Sequence, residues 1–326
     1  MDKMEQAKWK IKKENRRKIK GLPLFILLFF LFFPYGASLW KEGEVQTFTM
    51  EEKPGIIWVE KRKPWGTTRV EMEEYLIGMV AGSIPYDYEE ETLKAQAIIL
   101  RSHCLSMVQK EGGRKIVREE NIEEYYMSYE QCEKLWKEEA KKRWEKIEKA
   151  VRETRGKIIL YHEEIIAPPF FLSGNGNTRD IKDYPKEQKN FAYLKTVSCK
   201  MDMEAEDYIS YLEIEEKEFL KKIRKYLQNE EISRGKITIY RDSTGYVKAV
   251  EMGKKQINGE DFRQLFSLNS SCFFLEKINE KIQFKTQGKG HGFGFSQFQA
   301  NEMAKEGRGA EEILAYFFQE IQIKKM

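Results

Sequence analysis

Histidine is scarce in this 326-residue chain, with three in all, and cysteine is little commoner at four. His103, His162 and His291 stand at no zinc-ligand spacing from a cysteine except the adjacent His103–Cys104, and neighbours on a helix point different ways, so no metal site is expected. Cys104, Cys132, Cys199 and Cys272 form no C-x-x-C pair, which leaves two readings open. Some of them are joined in a disulfide, or they are buried thiols, as the place of Cys104 on an apolar helical stripe suggests. A charge imbalance is missing too: Lys and Arg number 57 against 53 Asp and Glu, a net +4 concentrated in one short segment. A nucleic-acid partner gets no support from that balance. Internal repeats and long low-complexity linkers are also absent, so no domain boundary shows within 41–326. What the chain does have is 41% apolar residues, enough for one large or two modest hydrophobic cores.

The charge excess lies in "KWKIKKENRRKIK" at 8–20, directly before "GLPLFILLFFLFFPYGASLW" at 21–40. The second run is uncharged until its end and close to the ~20 residues that span a bilayer core. Its basic flank is N-terminal, which places 1–20 in the cytoplasm and 41–326 outside the cell membrane. A cleaved signal peptide is the rival reading, with small residues at "YGA" (35–37), but the long basic leader and the aromatic-rich apolar core favour an uncleaved single-pass anchor.

Beyond the anchor, 41–70 reads as strand-rich, with alternation in "GIIWVEKRKPWGTTRV" broken by Pro64 and Gly66. From Val70 the pattern becomes helical and stops at Gly82 before Pro85. A second helix over 91–109 is apolar on most faces and is expected to be buried. A third, amphipathic and strongly charged, is expected across 130–156 with Gly156 closing it, its charges forming a solvated face. Strand, turn and strand follow in "KIILYHEEIIAPPFF", then a polar glycine loop at 173–178 and antiparallel β-structure near 235–259. The fold class expected is α+β, with helices around 70–155 packed on antiparallel strands.

The densest chemistry is "TQGKGHGFGFSQFQANEMAKEG" at 286–307. Glycines at 288, 290, 292 and 294 surround His291, and Ser296 is placed to cap a helix that Gly307 ends. Glycines there permit φ > 0 and the close approach of a ligand, while the plainer reading is a turn in which His291 hydrogen-bonds locally. A phosphate loop is poorly supported, since the run lacks the Lys-Ser/Thr ending and a following nucleotide-type βαβ order.

Four blocks together carry a resemblance: "EEYLIGMVAGSIPYDYEEETLKAQAIILRS" (73–102), "AVRETRGKIILYHEEIIAPPFFLSGNGNTRD" (150–180), "INGEDFRQLFSLNSS" (257–271) and "GKGHGFGFSQFQANEMAKEGRGAEEILAYFFQEIQI" (288–323). In order and spacing they resemble the stage II sporulation protein D family, over most of 70–323. The resemblance implies a membrane-anchored protein of forespore engulfment and lytic transglycosylation of peptidoglycan glycan strands stripped of stem peptides, and no cofactor is expected in this chain. A partner murein amidase and other engulfment proteins are implied with it.

Non-hydrolytic cleavage of a glycan needs one carboxylic acid, which protonates the departing glycosidic oxygen and then, as carboxylate, takes the proton of the sugar's 6-hydroxyl. The resemblance implies a Glu immediately before Met/Ile-Pro, and this chain has Ser83 there. A serine hydroxyl cannot lend that proton near neutral pH. Asp87, Glu89 and Glu90 are the nearest substitutes, Asp87 foremost, though as the acidic first turn of the next helix they have a simpler explanation. A second departure is "FLSGNGNT" (171–178), where the family commonly has His-Ser-x-Ser-Gly-Gly-x-Thr and this chain puts Phe171 at the histidine. Gln96, Arg101, Ser173, Asn175, Thr178, His291, Ser296 and Gln297 are the candidate glycan-binding residues, with Gln96 and Arg101 equally readable as hydrogen-bonded anchors of the cleft walls. Two functions are therefore expected to compete: a transglycosylase with a displaced acid, and an inactive glycan-binding scaffold that recruits or stimulates a murein hydrolase. Both place the His291 loop and the Ser83 turn across one groove.

Overall fold

The computed structural model describes residues 57–326 apart from 64–65, 111, 187–188 and 227–236. The basic and apolar segments at 1–40 lie outside the described residues, as does 41–56 of the strand-rich stretch. Among the described residues no helix is long and apolar enough to cross a membrane.

Alternation in "WVEKRK" and "GTTRVE" becomes a hairpin of β1 (Trp58–Lys63) and β2 (Gly66–Glu71), in register from Trp58↔Glu71 to Lys63↔Gly66. Helix α1 (Met72–Ser83) starts two residues after the expected point, because Val70 and Glu71 are still paired to Val59 and Trp58. Helix α2 (Glu90–Lys110) is followed by β3 (Ile116–Arg118), which joins β1 in parallel. The apolar faces of α2 serve two cores at once. Leu93, Ala97, Leu100 and Cys104 pack with Leu76, Val80 and Val151, while Ala95, Ile98 and Ile99 pack with Ile159, Phe295 and Leu314. Each fully buried Leu or Ile here stabilises by about 1.5–3 kcal/mol, and the polar side chains buried beside them, such as Gln96, Arg101 and Ser102, are held by hydrogen bonds.

The single helix expected over 130–156 is two, α3 (Tyr129–Trp136) and α4 (Ala140–Glu153). Ser128 and Gln131 form a capping box at the start, and the chain breaks at Lys137, whose φ is 53°. The break leaves Trp136 buried against Tyr86, ring centroids 5.3 Å apart. Strands β4 (Lys157–Tyr161) and β5 (Glu164–Ile165) form a tight hairpin in which His162 and Glu163 both take positive φ, as a two-residue loop requires. The two-residue β6 (Phe170–Phe171) comes next.

The middle of the chain builds a separate core that no linker announces. It holds β7 (Ile209–Glu215), α5 (Glu216–Tyr226), β8 (Ile237–Arg241), β9 (Val247–Met252), β10 (Lys255–Asn258), α6 (Gly259–Leu265), β11 (Phe273–Ile278) and β12 (Lys281–Gln287). The strands form two antiparallel sheets, ordered β11-β12-β7 and β10-β9-β8, and Phe219, Val250, Phe262, Phe273 and Phe284 fill the space they enclose. The chain then returns through β13 (Phe295–Ser296), α7 (Gln297–Lys305), α8 (Ala310–Phe317) and β14 (Ile321–Lys325), the last paired with β4. The architecture is mixed α+β. Its functional consequence comes from the short parallel pair of β13 and β6, Phe295↔Phe170 and Ser296↔Phe171, which sets the 171–178 and 288–296 loops side by side.

Candidate functional site

Helix α1 ends at Ser83 because Ile84 takes an extended conformation (φ −141°, ψ 147°) ahead of Pro85. Gln96 reaches the same point from α2 and Gln297 from the first position of α7. Gln297 Nε2 donates to the Ser83 carbonyl at 2.7 Å and to Gln96 Oε1 at 3.1 Å. Helix α7 is held for this by Asn301, whose Oδ1 accepts the Glu89 N–H at 2.7 Å, and by the Thr92 hydroxyl on the Ala300 carbonyl at 3.4 Å. Three of the expected site residues thus meet, and two of their donors are left over. Ser83 Oγ and Gln96 Nε2 are buried with no hydrogen-bond partner. Each buried unpaired group costs about 1–3 kcal/mol.

Among the described residues no carboxyl is hydrogen-bonded to this cluster in place of the missing Glu. Asp87 and Glu89 are exposed on the turn. Glu90 is tied to Lys149 at 2.8 Å and Lys94 at 3.0 Å, and those hydrogen bonds lower its carboxyl to about 2, so it stays ionised.

Sequence reasoning missed Asp202, which is fully buried on the 3-10 turn Lys200–Glu204. Its carboxylate accepts the Ser296 hydroxyl at 2.7 and 2.9 Å, the Gly174 N–H at 2.6 Å and the Gln299 N–H at 3.0 Å. It therefore ties the 173–178 loop to the start of α7, where Ser296 also accepts the Gln299 N–H as N-cap. Burial pushes this carboxyl up to about 6, against the opposing pull of its three donors. Nothing in "KMDMEAED" distinguishes Asp202 from its acidic neighbours.

His291 is engaged by the chain itself. Its Nδ1 accepts the Phe293 N–H at 3.1 Å, it is hydrogen-bonded to the Phe170 backbone, and Phe171 lies 5.8 Å away ring to ring. Burial lowers its pKa to about 4, so the ring is neutral at physiological pH. The neighbouring glycines serve the same packing. A Cβ on Gly290 would lie 2.5 Å from Phe171 Cβ, and one on Gly292, at φ +83°, would lie 2.4 Å from the Tyr246 ring. The close approach that the glycines permit is made by Phe171 and Tyr246.

The remaining candidates are equally committed. Arg101 is fully buried and forks onto Glu73 at 2.8 and 2.9 Å, with further bonds to the Val151 carbonyl at 3.1 Å and the Lys157 carbonyl at 3.2 Å. It joins α1, α4 and β4, and none of its bonds reaches Ser83. Thr178 Oγ1 donates to the Lys195 carbonyl at 2.9 Å and accepts the Val197 N–H at 2.9 Å. Asn175 Nδ2 donates to the Thr244 carbonyl at 2.8 Å, and the Ser173 backbone pairs with Lys289 at 3.2 and 2.7 Å. The structure thus brings Ser83, Gln96 and Gln297 together, links Ser296 to Ser173–Gly174 through Asp202, and gives Arg101, Thr178 and His291 internal partners. Cys104, Cys132, Cys199 and Cys272 are buried free thiols, and burial pushes Cys104 up to about 12. His103 is held between Glu124 and the Pro168 carbonyl. Among the described residues no group of three His, Cys, Asp or Glu side chains is placed to hold a metal ion.

A family model described as "Stage II sporulation protein" matches residues 61–161. Stage II sporulation protein D of Bacillus amyloliquefaciens and that of Bacillus subtilis (strain 168) are each 30% identical to this chain over 282 residues, covering 85% of it and 81% of the relative. An uncharacterized protein of Brachyspira hyodysenteriae is 24% identical over 261 residues, covering 77% of this chain and 66% of its own length.

Proposed function

The chain belongs to the stage II sporulation protein D family, and from that premise we propose that its Ser83–Gln96–Gln297 cluster binds peptidoglycan glycan strands during forespore engulfment, holding them for a partner murein hydrolase. The observation that carries this reading is the pair of unpartnered buried donors, Ser83 Oγ and Gln96 Nε2. Both offer hydrogens to sugar oxygens or acetamido carbonyls, and neither can act as a general acid. Loss of such an acid costs roughly 10²–10⁴-fold in rate, which removes useful cleavage without removing binding. In this reading residues 21–40 cross the cell membrane once, 1–20 remain in the cytoplasm, and 41–326 meet the glycan outside. An amidase that strips stem peptides is the expected partner.

One observation favours the enzymatic alternative. Asp202, raised to about 6 and bonded to Ser296, is in the range where a carboxyl serves as acid and then base. Against it, Asp202 and Ser296 are both fully enclosed, so neither reaches a strand without a rearrangement of the loops around them. Co-sedimentation of the full chain in mild detergent with glycan strands stripped of stem peptides tests the binding reading. Wild type should pellet with the strands, and Gln297→Leu, with its helical signal by circular dichroism unchanged, should bind at least tenfold more weakly. Equal binding by both proteins, or none by wild type, would count against the cluster as the glycan site.

A further inference from the structure

A cavity of about 400 Å³ lies between the 167–194 segment and the strand–helix corner carrying Lys248, Asn258 and Glu260. Its walls are largely apolar, built from Ile181, Tyr184, Phe191, Leu194 and Phe293, and neither Ser83, Gln96 nor Gln297 reaches it. A concave apolar bowl of this size with a few polar groups is the usual form of a small-ligand pocket.

The charges at its edge are unequal in what they leave free. Arg179 is committed, with Nε on Asp242 at 2.8 Å, Nη1 on the His291 carbonyl at 3.1 Å, and Nη2 on the Val247 carbonyl at 3.3 Å and the Tyr184 hydroxyl. His291 is uncharged. Lys248 differs. Its ammonium donates to the Asp183 carbonyl at 2.5 Å and lies 5.2 Å from the Tyr184 ring centroid, and it pairs with no carboxylate among the described residues. The Asp183 carboxylate is hydrogen-bonded to Ser243, at 2.8 and 2.6 Å, and acts on Lys248 only through space, without an ion pair. An ammonium has three donors, so Lys248 keeps hydrogens for an anion at the mouth of the bowl. Glu260 supplies the complementary group. Arg263 and Gln264 occupy its Oε1, while among the described residues Oε2 takes only the Ser271 hydroxyl at 2.6 Å, leaving lone pairs for a ligand N–H.

We propose that this cavity binds the carboxylate end of a short apolar peptide, with the carboxylate on Lys248, a peptide N–H on Glu260, and small apolar side chains in the aromatic bowl. An uncharged sugar would leave Lys248 unanswered, and a fatty acid would leave Glu260 so. The proposal stands apart from the glycan reading, because it shares no residue with the Ser83 cluster.

Isothermal titration calorimetry of the full chain in mild detergent, with N-acetyl-alanyl-alanine and its C-terminal amide as probes, tests it. The acid should bind at least tenfold more tightly than the amide, as a charge-assisted hydrogen bond requires, and the difference should vanish in Lys248→Met. Ala167→Leu, which fills the bowl from its wall, should weaken the acid at least tenfold with the thermal unfolding midpoint unchanged. Equal binding of acid and amide, no binding of either, or an unaltered affinity in Ala167→Leu would overturn the assignment.

Discussion

Asp202 and His291 carry opposite pH signatures into the same narrow range. Asp202 has its native pKa raised from 3.8 to about 6, so between those values the folded state holds a proton that the unfolded chain releases, and stability falls as pH rises. His291 has its native pKa lowered from 6.5 to about 4, so the unfolded chain holds the extra proton there, and stability rises with pH. Asp202→Asn should therefore steepen the gain in stability between pH 4.5 and 6.5, and His291→Gln should flatten or reverse it, as read by urea unfolding at both values. Matching slopes in the two variants would show that neither group is buried as described. At this scale the sequence was legible in part. The glycines marked His291 as unusual, but they could not say that Phe171 and Tyr246 would occupy the space they open. Asp202 left no periodicity or motif to find, because its importance arises only when Gly174 and Ser296 are brought to it.

At the scale of elements, the glycine run gives a controlled comparison. Gly292 and Gly307 both take positive φ, but a Cβ on Gly292 meets the Tyr246 ring at 2.4 Å and one on Gly307 meets nothing within 4 Å. Gly307→Ala should cost about 1–2 kcal/mol, the left-handed penalty alone, and Gly292→Ala clearly more, both measured by chemical denaturation. Similar losses in the two would mean that the 288–294 loop does not pack against Tyr246. Arg101 offers a second test of an element joint. Arg101→Met should cost about 3–5 kcal/mol because it leaves Glu73 without its buried cation, whereas Lys157→Met, breaking an outer pair with Glu311, should cost about 0–1 kcal/mol. A loss for Arg101→Met no larger than for Lys157→Met would place Arg101 outside the framework. The helices on either side of Ser83 were readable from periodicity and stop signals. The break at Lys137 was not, since the apolar stripe runs through it and only the packing of Trp136 on Tyr86 reveals why the chain turns there.

For the whole molecule, the α+β class followed from helical periodicity early in the chain and alternation later. The third core between 205 and 287 was hidden, because its strands enter and leave through ordinary turns with no shift in composition. The site depends on that long excursion. Only after it does the chain return through β13 and α7 to lay Gln297 on Ser83 and Gln96, residues some two hundred positions earlier. The convergence makes a cluster with donors and no acid. Mass spectrometry of stem-peptide-free glycan strands, after incubation with the full chain or with its Ser83→Glu variant, addresses this most directly. Strands left intact by wild type and cut to anhydro-ended fragments by Ser83→Glu are expected if the cluster binds glycan and lacks only its carboxyl. Anhydro-ended fragments from wild type would contradict a binding-only role and direct attention to Asp202.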